Sequence, residues 1–130
     1  MAQELSIVWF KRDLRLYDHA PLAAACAAGL PVLPLYVIEP EYWRQPFASR
    51  RHWHFIHDSL VELQADCASL GQPLVVRPGT ITDVFESIQH EYIIRGIYAH
   101  EETSNLWGYQ RDEVVRQWCL VQAIEFHEYP

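Results

Sequence analysis

The sequence predicts an α/β domain built on a five-stranded parallel sheet with helices on both faces. Short apolar runs rich in β-branched and aromatic residues alternate with longer segments whose apolar residues recur at spacings of three and four. Strands that alternate with helices pair in parallel through right-handed crossovers. With 130 residues, 50% of them hydrophobic, the chain is long enough for one compact domain.

The first strand and the first helix are predicted near the N-terminus. Residues 5–10 form a continuous apolar run, typical of a strand covered on both faces. Residues 20–28 are rich in alanine, which has the highest helix propensity. We expect Asp18 to cap this helix and Gly29 to end it, because these residue types are favoured at the two helix ends.

The second strand and the second helix follow. Residues 32–38 are apolar, but Pro34 cannot donate to a sheet ladder and predicts an irregular start or a locally unpaired edge. Residues 49–70 predict a long amphipathic helix that ends at Gly71. Its apolar stripe consists of Trp53, Ile56, Leu60, Leu63, Cys67 and Leu70.

The remaining chain continues the alternation. Residues 73–77 predict the third strand, and Thr80 with Asp83 resembles a capping box before a third helix. The inner face of that helix is Ile81, Val84, Phe85 and Ile88. Residues 93–99 predict the fourth strand. A fourth helix follows, with Trp107, Arg111, Val114, Val115 and Trp118 at helical spacing. If the polar turn before it is an ordinary one, Ser104 or Asn105 caps this helix. Residues 123–126 begin a fifth strand. The full pattern is that of a Rossmann-like, doubly wound sheet.

Composition argues against several classes of function. The net charge is -7, whereas a surface that binds nucleic acid is normally basic. Three cysteines without a CxxC pair favour reduced thiols and a cytoplasmic location. No segment approaches the roughly 20 apolar residues of a membrane helix, and residues 1–5 do not resemble an export signal.

Two familiar kinds of site lack their residues. The five glycines form neither GxGxxG nor GxxxxGK[ST], so neither backbone cradle for phosphates is predicted. His52, His54 and His57 do not share one helical face, and neither cysteine nor glutamate completes a tetrahedral set, so we expect no metal site there. The tryptophans are interpreted as packing residues.

Charged residues collect where the predicted strands end. Lys11, Arg12, Asp13 and Arg15 follow the first strand, and Glu101 with Glu102 follows the fourth. In a parallel sheet these loops meet at one edge, where ligands bind. Two interpretations remain open for both groups: ligand or partner contacts, and ordinary solvated loops that include a helix cap.

The stretch VWFKRDLRLYDHAPL resembles the opening signature of the DNA photolyase and cryptochrome family. The resemblance continues through RRHWHFIHDSLVELQADCASLGQPLVV and IYAHEETSNLWGYQRDEVVRQW to FHEYP, which is nearly the whole chain. It implies that residues 1–130 form the N-terminal α/β domain and that a larger helical domain, outside this chain, binds FAD. It also implies light-driven repair of pyrimidine photoproducts in DNA by a deoxyribodipyrimidine photo-lyase, with damaged DNA contacted only through the helical domain.

In the family, this domain commonly helps to hold an accessory antenna chromophore in a cleft that faces the helical domain in cis. The positions that match that region are Phe10, Lys11, Arg12, Asp13, Arg15, Arg50, Arg51, Glu101 and Glu102. No catalytic residue is assigned to this chain, because flavin chemistry belongs to the helical domain. Folate-binding members carry an Asn-Glu pair where this sequence has Trp107 and Gly108, which argues against a folate antenna.

Two other interpretations remain. One is a stand-alone module that binds a nucleotide-like ligand, and the other is a light-sensing cryptochrome without repair activity. The residues of this chain do not separate repair of cyclobutane dimers from repair of (6-4) photoproducts or from signalling.

Overall fold

The fold is a five-stranded sheet flanked by five helices. The structure is a computed structural model that describes residues 2–130. The strands are β1 (Gln3–Phe10), β2 (Val32–Ile38), β3 (Val75–Pro78), β4 (Tyr92–His100) and β5 (Glu125–Tyr129). The helices are α1 (Ala20–Ala27), α2 (Pro40–Trp43), α3 (Arg50–Ser69), α4 (Ile81–Gln89) and α5 (Leu106–Gln122). The strand order is β3-β2-β1-β4-β5 and every pair is parallel, which confirms the predicted fold class.

Helices cover both faces of the sheet. Successive residues of β1 point to opposite faces, and the side chains on both faces are apolar, so each face is buried under helices. Ile7 and Trp9 belong to one apolar cluster, which also contains Phe85 of α4. Val8 and Phe10 belong to a second cluster on the other face, together with residues of α1 and α3. The continuous apolar run of β1 therefore fills two cores, as expected for a central parallel strand.

The first helix begins one residue later than the predicted Asp18 cap requires, so that prediction is wrong. His19 is the N-cap, and its Nδ1 accepts a hydrogen bond of 3.0 Å from the Leu22 N–H. Asp18 lies in the turn before it with a φ of 48°, a left-handed conformation that aspartate tolerates. Gly29, with a φ of 86°, follows the helix end as predicted.

The second strand and the long third helix match their predictions. The β2–β3 ladder begins only at Leu35 and Val75, so one edge of β2 is unpaired at Pro34. Ser49 caps α3, and the predicted stripe is buried at Ile56, Leu60, Leu63 and Cys67, but Leu70 at its end is exposed because the helix has already ended there. The short helix α2 between them was not predicted.

Two details of the later helices differ from expectation. Thr80 is the N-cap of α4 but makes no capping hydrogen bond with its side chain, so the capping box does not form. Asn105 caps α5, and the buried face of that helix is Gly108, Asp112, Val115 and Cys119, while Val114 is exposed. The predicted stripe was shifted by about one residue because it took Trp107 and Arg111 as inward-facing in place of Gly108 and Asp112.

Within residues 2–130, no helix has both the length and the apolar character needed to cross a membrane.

Candidate functional site

Two clefts open at the edge of the sheet where the strands end, as the parallel topology predicts. The first, here called the aromatic cleft, is lined chiefly by Trp9, Lys11, Tyr36, Tyr42, Trp43 and Arg111. The second, called the open cleft, lies between the β1–α1 and β4–α5 loops and has a volume of about 340 Å³. Asp13, His100 and Ser104 are among its lining residues.

Trp9 gives the aromatic cleft an electron-rich surface that faces two cations. Lys11 Nζ lies 4.3 Å from the centre of the Trp9 ring, and the Arg111 guanidinium lies 4.8 Å from it. The same guanidinium is 5.3 Å from the Trp107 ring. Cations over aromatic faces are attracted by the ring quadrupole, and the attraction is larger where water is excluded.

A buried network of charges surrounds these rings. Lys11 Nζ lies 2.9 Å from Asp112 Oδ2, and Arg111 Nη1 donates to both oxygens of Glu39 at 2.7 and 3.0 Å. Arg111 Nε also donates to Asp112 Oδ1 at 2.9 Å. Burial lowers the pKa of Lys11 and raises the pKa of Glu39, and the opposite charges in the network oppose both shifts. The cations of the cleft are therefore already paired within the chain.

Asp13, which lines the open cleft, contacts two imidazoles: His100 lines the same cleft, and His19 is buried. Its Oδ2 lies 2.5 Å from His19 Nε2 and 2.6 Å from His100 Nδ1, and its Oδ1 accepts the Lys11 N–H at 2.8 Å. Because His19 Nδ1 accepts the Leu22 N–H, the proton of neutral His19 lies on Nε2 and points to Asp13. These three side chains converge like metal ligands, but both nitrogens of His19 are already committed to hydrogen bonds. Metal-bound histidines use the second nitrogen as a donor, so the contacts favour a hydrogen-bonded network over a metal site.

The structure brings most of the predicted site residues together. Phe10, Lys11, Arg12 and Glu102 line the aromatic cleft, and Lys11 to Asp13, Arg15, Glu101 and Glu102 line the open cleft. Arg12 donates to Ser104 Oγ at 2.6 Å, which links the two loops.

Arg15 also has a local role, whereas Arg50 and Arg51 line neither cleft. Arg15 donates to the carbonyl oxygens of Tyr17 and Asp18 and so closes the β1–α1 loop. Arg50 and Arg51 are exposed in the first turn of α3, and His52 with Ile56 extends from that helix to the aromatic cleft.

Sequence reasoning missed Glu39, Tyr42, Asp112 and His19 as parts of this edge. For Asp112 a signal existed, because the adjacent Arg-Asp pair interrupts an otherwise apolar helical stripe. For Tyr42 and Trp43 the only signal was an aromatic pair after Pro40.

Comparison with known proteins matches residues 6–130 to the family model described as DNA photolyase. The chain is 31% identical over 106 residues to cryptochrome DASH of Oryza sativa subsp. japonica, covering 76% of this chain and 18% of that protein. It is 35% identical over 106 residues to the deoxyribodipyrimidine photo-lyase of Escherichia coli, covering 80% of this chain and 21% of that protein.

The fold is similar to a crystal structure of an archaeal photolyase from Sulfolobus tokodaii with two FAD molecules, described as implying a novel light-harvesting cofactor. The TM-score is 0.86 and the identity 29%, over 97% of this chain and 29% of that one. The chain thus spans about a fifth of the length of the two curated relatives. From the family match over residues 6–130 and this shared fold, the chain belongs to the DNA photolyase family, as its N-terminal α/β domain.

Proposed function

We propose that this chain is the antenna-type domain of a light-dependent flavoprotein that repairs pyrimidine photoproducts in DNA. In this proposal, the domain supports an accessory chromophore in the aromatic cleft and docks in cis against a helical domain that binds FAD. Damaged DNA is contacted through the helical domain, in keeping with the net charge of -7 on this one.

The observation that carries the proposal is the composition of the aromatic cleft. Trp9, Lys11 and Arg111 place an aromatic ring and two internally paired cations at the ligand-binding edge of a parallel sheet, beside the half-buried rings of Tyr42 and Trp43. Aromatic side chains and a small number of placed charges are what a planar, heteroaromatic ligand requires of a pocket. The two FAD molecules of the Sulfolobus tokodaii photolyase make a flavin-like ring the preferred class for this chain.

The geometry at Gly108 argues against a folate held through an Asn-Glu pair. A Cβ atom at this position would lie 2.3 Å from Glu102 Cγ, so a side chain does not fit unless Glu102 moves. Glu102 is buried and accepts a hydrogen bond from Ser104. Trp107, at the other position of the pair, packs on Tyr42 and Arg111.

The test is to purify the protein at its natural length, measure its mass, and identify the small molecules released on denaturation by absorbance and mass spectrometry. We expect a chain several times heavier than 15.2 kDa, with FAD and a second chromophore that is not a folate. Arg12→Ala should lower the content of the second chromophore and leave FAD unchanged. The matched control is Arg95→Ala, which removes an exposed arginine paired with Glu4 on β1.

Three results would contradict the proposal in different ways. FAD without a second chromophore would remove the antenna role and leave the flavoprotein. A native chain of 15.2 kDa would favour a stand-alone module that binds a nucleotide-like ligand. Both chromophores without light-driven cleavage of pyrimidine dimers or (6-4) photoproducts would favour a light-sensing cryptochrome.

A further inference from the structure

The aromatic cleft is too small, as folded, for the class of ligand proposed for it. Its cavity has a volume of about 30 Å³, which is room for roughly two water molecules. Pockets that hold small molecules typically measure about 300–1,000 Å³. A planar ligand therefore enters only if side chains that line the cleft move.

Two of the aromatic side chains that line the cleft, Tyr42 and Trp43, come from α2. The Tyr42 ring meets the Trp107 ring edge-on, with 5.5 Å between their centroids. The Trp43 ring meets the Trp53 ring at 5.1 Å, also edge-on. The two rings thus join α2 to α5, which contributes Arg111 to the cleft, and to α3, which contributes His52 and Ile56.

Helix α2 is the element at this edge that is best suited to move. It has four residues, no side-chain cap at its N-terminus and no buried residue. The backbone hydrogen bonds around it are local, such as those from Tyr42 to Glu39 and from Ala48 to Gln45. Moving residues 40–48 as a unit therefore leaves the ladders of the sheet intact.

We propose that Tyr42 and Trp43 form an aromatic gate, which fills the cleft in the ligand-free protein and moves out when a planar ring of the flavin class enters. The inference rests on the proposed function, because it assumes that the aromatic cleft is the chromophore site. The apparent affinity equals the intrinsic affinity multiplied by the fraction of protein in which the gate is open, so a gate that is mostly closed weakens binding. Removal of the two rings therefore raises affinity, whereas removal of stacking partners would lower it.

The test uses the protein at its natural length and FMN as the probe, with binding followed by FMN fluorescence. The double variant Tyr42→Ala/Trp43→Ala is expected to bind FMN at least tenfold more tightly than the wild type and to associate faster. Tyr42→Phe keeps the ring, and Phe55→Ala removes an exposed aromatic from the outer side of α3, so both should match the wild type. If the double variant and the wild type release the same amount of FAD on extraction, the change in FMN binding arises at the aromatic cleft and not at a separate FAD site.

Two outcomes overturn the gate. If the wild type binds FMN and the double variant binds it equally or more weakly, the gate is wrong while the proposed function stands. If neither protein binds FMN, a flavin gate is excluded, and the chromophore extraction decides separately on the proposed function. If circular dichroism shows that the double variant is unfolded, the two single alanine variants are judged by the same criterion.

Discussion

Lys11 Nζ lies 2.9 Å from Asp112 Oδ2, and this buried ion pair ties the end of the central strand β1 to helix α5. The two side chains are only 5% and 1% exposed. Lys11 Nζ also donates to the carbonyl oxygen of His100 at 2.5 Å, so the pair joins β1, β4 and α5 at the edge that carries both clefts.

Replacing Asp112 should therefore be costly. Asp112→Asn leaves Lys11 buried without its charged partner, and we expect a loss of about 3–5 kcal/mol in the free energy of unfolding. Urea unfolding followed by circular dichroism measures it. The control is Glu4→Gln, which breaks an exposed pair with Arg95 and should cost less than about 1 kcal/mol. Equal losses in the two variants would show that the burial of the pair has no energetic importance.

The pH dependence of stability should include a contribution from Asp13. Burial raises the pKa of Asp13, but hydrogen bonds from His19, His100 and the Lys11 N–H outweigh it and hold the pKa well below its ordinary value of 3.8. Between the folded and unfolded pKa values the unfolded chain binds more protons, so stability falls as the pH falls. The stabilisation by Asp13 is thus complete above the unfolded pKa and is lost in more acidic solution.

The variant Asp13→Asn tests this sign. We expect it to cost about 1–3 kcal/mol at pH 7, and the difference from the wild type should shrink in urea unfolding at pH 4 and pH 3. Asp58→Asn changes an exposed carboxylate on α3 and should show neither effect. A difference that stays constant or grows on acidification would contradict the assignment of the low pKa to Asp13.

The identity of the first helix cap can be tested at adjacent positions. His19→Ala removes the side chain that accepts the Leu22 N–H and should cost about 0.5–2 kcal/mol. His19→Asn should recover part of this loss, because asparagine is a favoured N-cap. Asp18→Gly should be neutral or slightly stabilising, since the φ of 48° suits glycine. Thermal unfolding ranks the three variants, and a larger loss at Asp18 than at His19 would restore the aspartate as the cap.

Replacing Gly108 by alanine should destabilise the protein, although alanine is usually preferred to glycine in helices. In an exposed helix interior, replacing glycine by alanine stabilises by about 1 kcal/mol. At Gly108 the added Cβ would lie 2.3 Å from Glu102 Cγ, so we expect Gly108→Ala to destabilise by about 1–3 kcal/mol. The same substitution combined with Glu102→Ala should cost much less, because the clash is gone. Additive losses in the double-mutant cycle would mean that the two positions do not interact.

Periodicity predicted the order of strands and helices because each of them buries an apolar stripe or run. The stripe of α3 is an example, since Ile56, Leu60, Leu63 and Cys67 are buried at the predicted spacing. The predictions failed where a polar side chain is buried at a position expected for an apolar residue, and where an uncommon residue type caps a helix. Asp112 is buried on α5 through its pairing with Lys11, and His19 caps α1 through Nδ1.

The candidate site was predictable only as an edge of the sheet. Lys11 to Asp13 and Glu102 were found because charges gathered after predicted strands, which meet at one edge in any parallel sheet. Glu39 and Tyr42 were not found, because their place depends on the turn after β2 and on pairing with Arg111 and Trp107, which are about 70 residues away. Contacts of this kind carry no local signal.

The position of β1 in the sheet also constrains how the domain forms during synthesis. The strand made first lies at the centre, and its two neighbours are β2 and β4, which end at Ile38 and His100. The β3-β2-β1 half can pair as soon as residue 78 has left the ribosome, but one side of β1 stays open until residue 100 has followed. A half-built parallel sheet with an exposed apolar edge is prone to aggregate. A pause in translation between β3 and β4 would therefore be more harmful than one after β5.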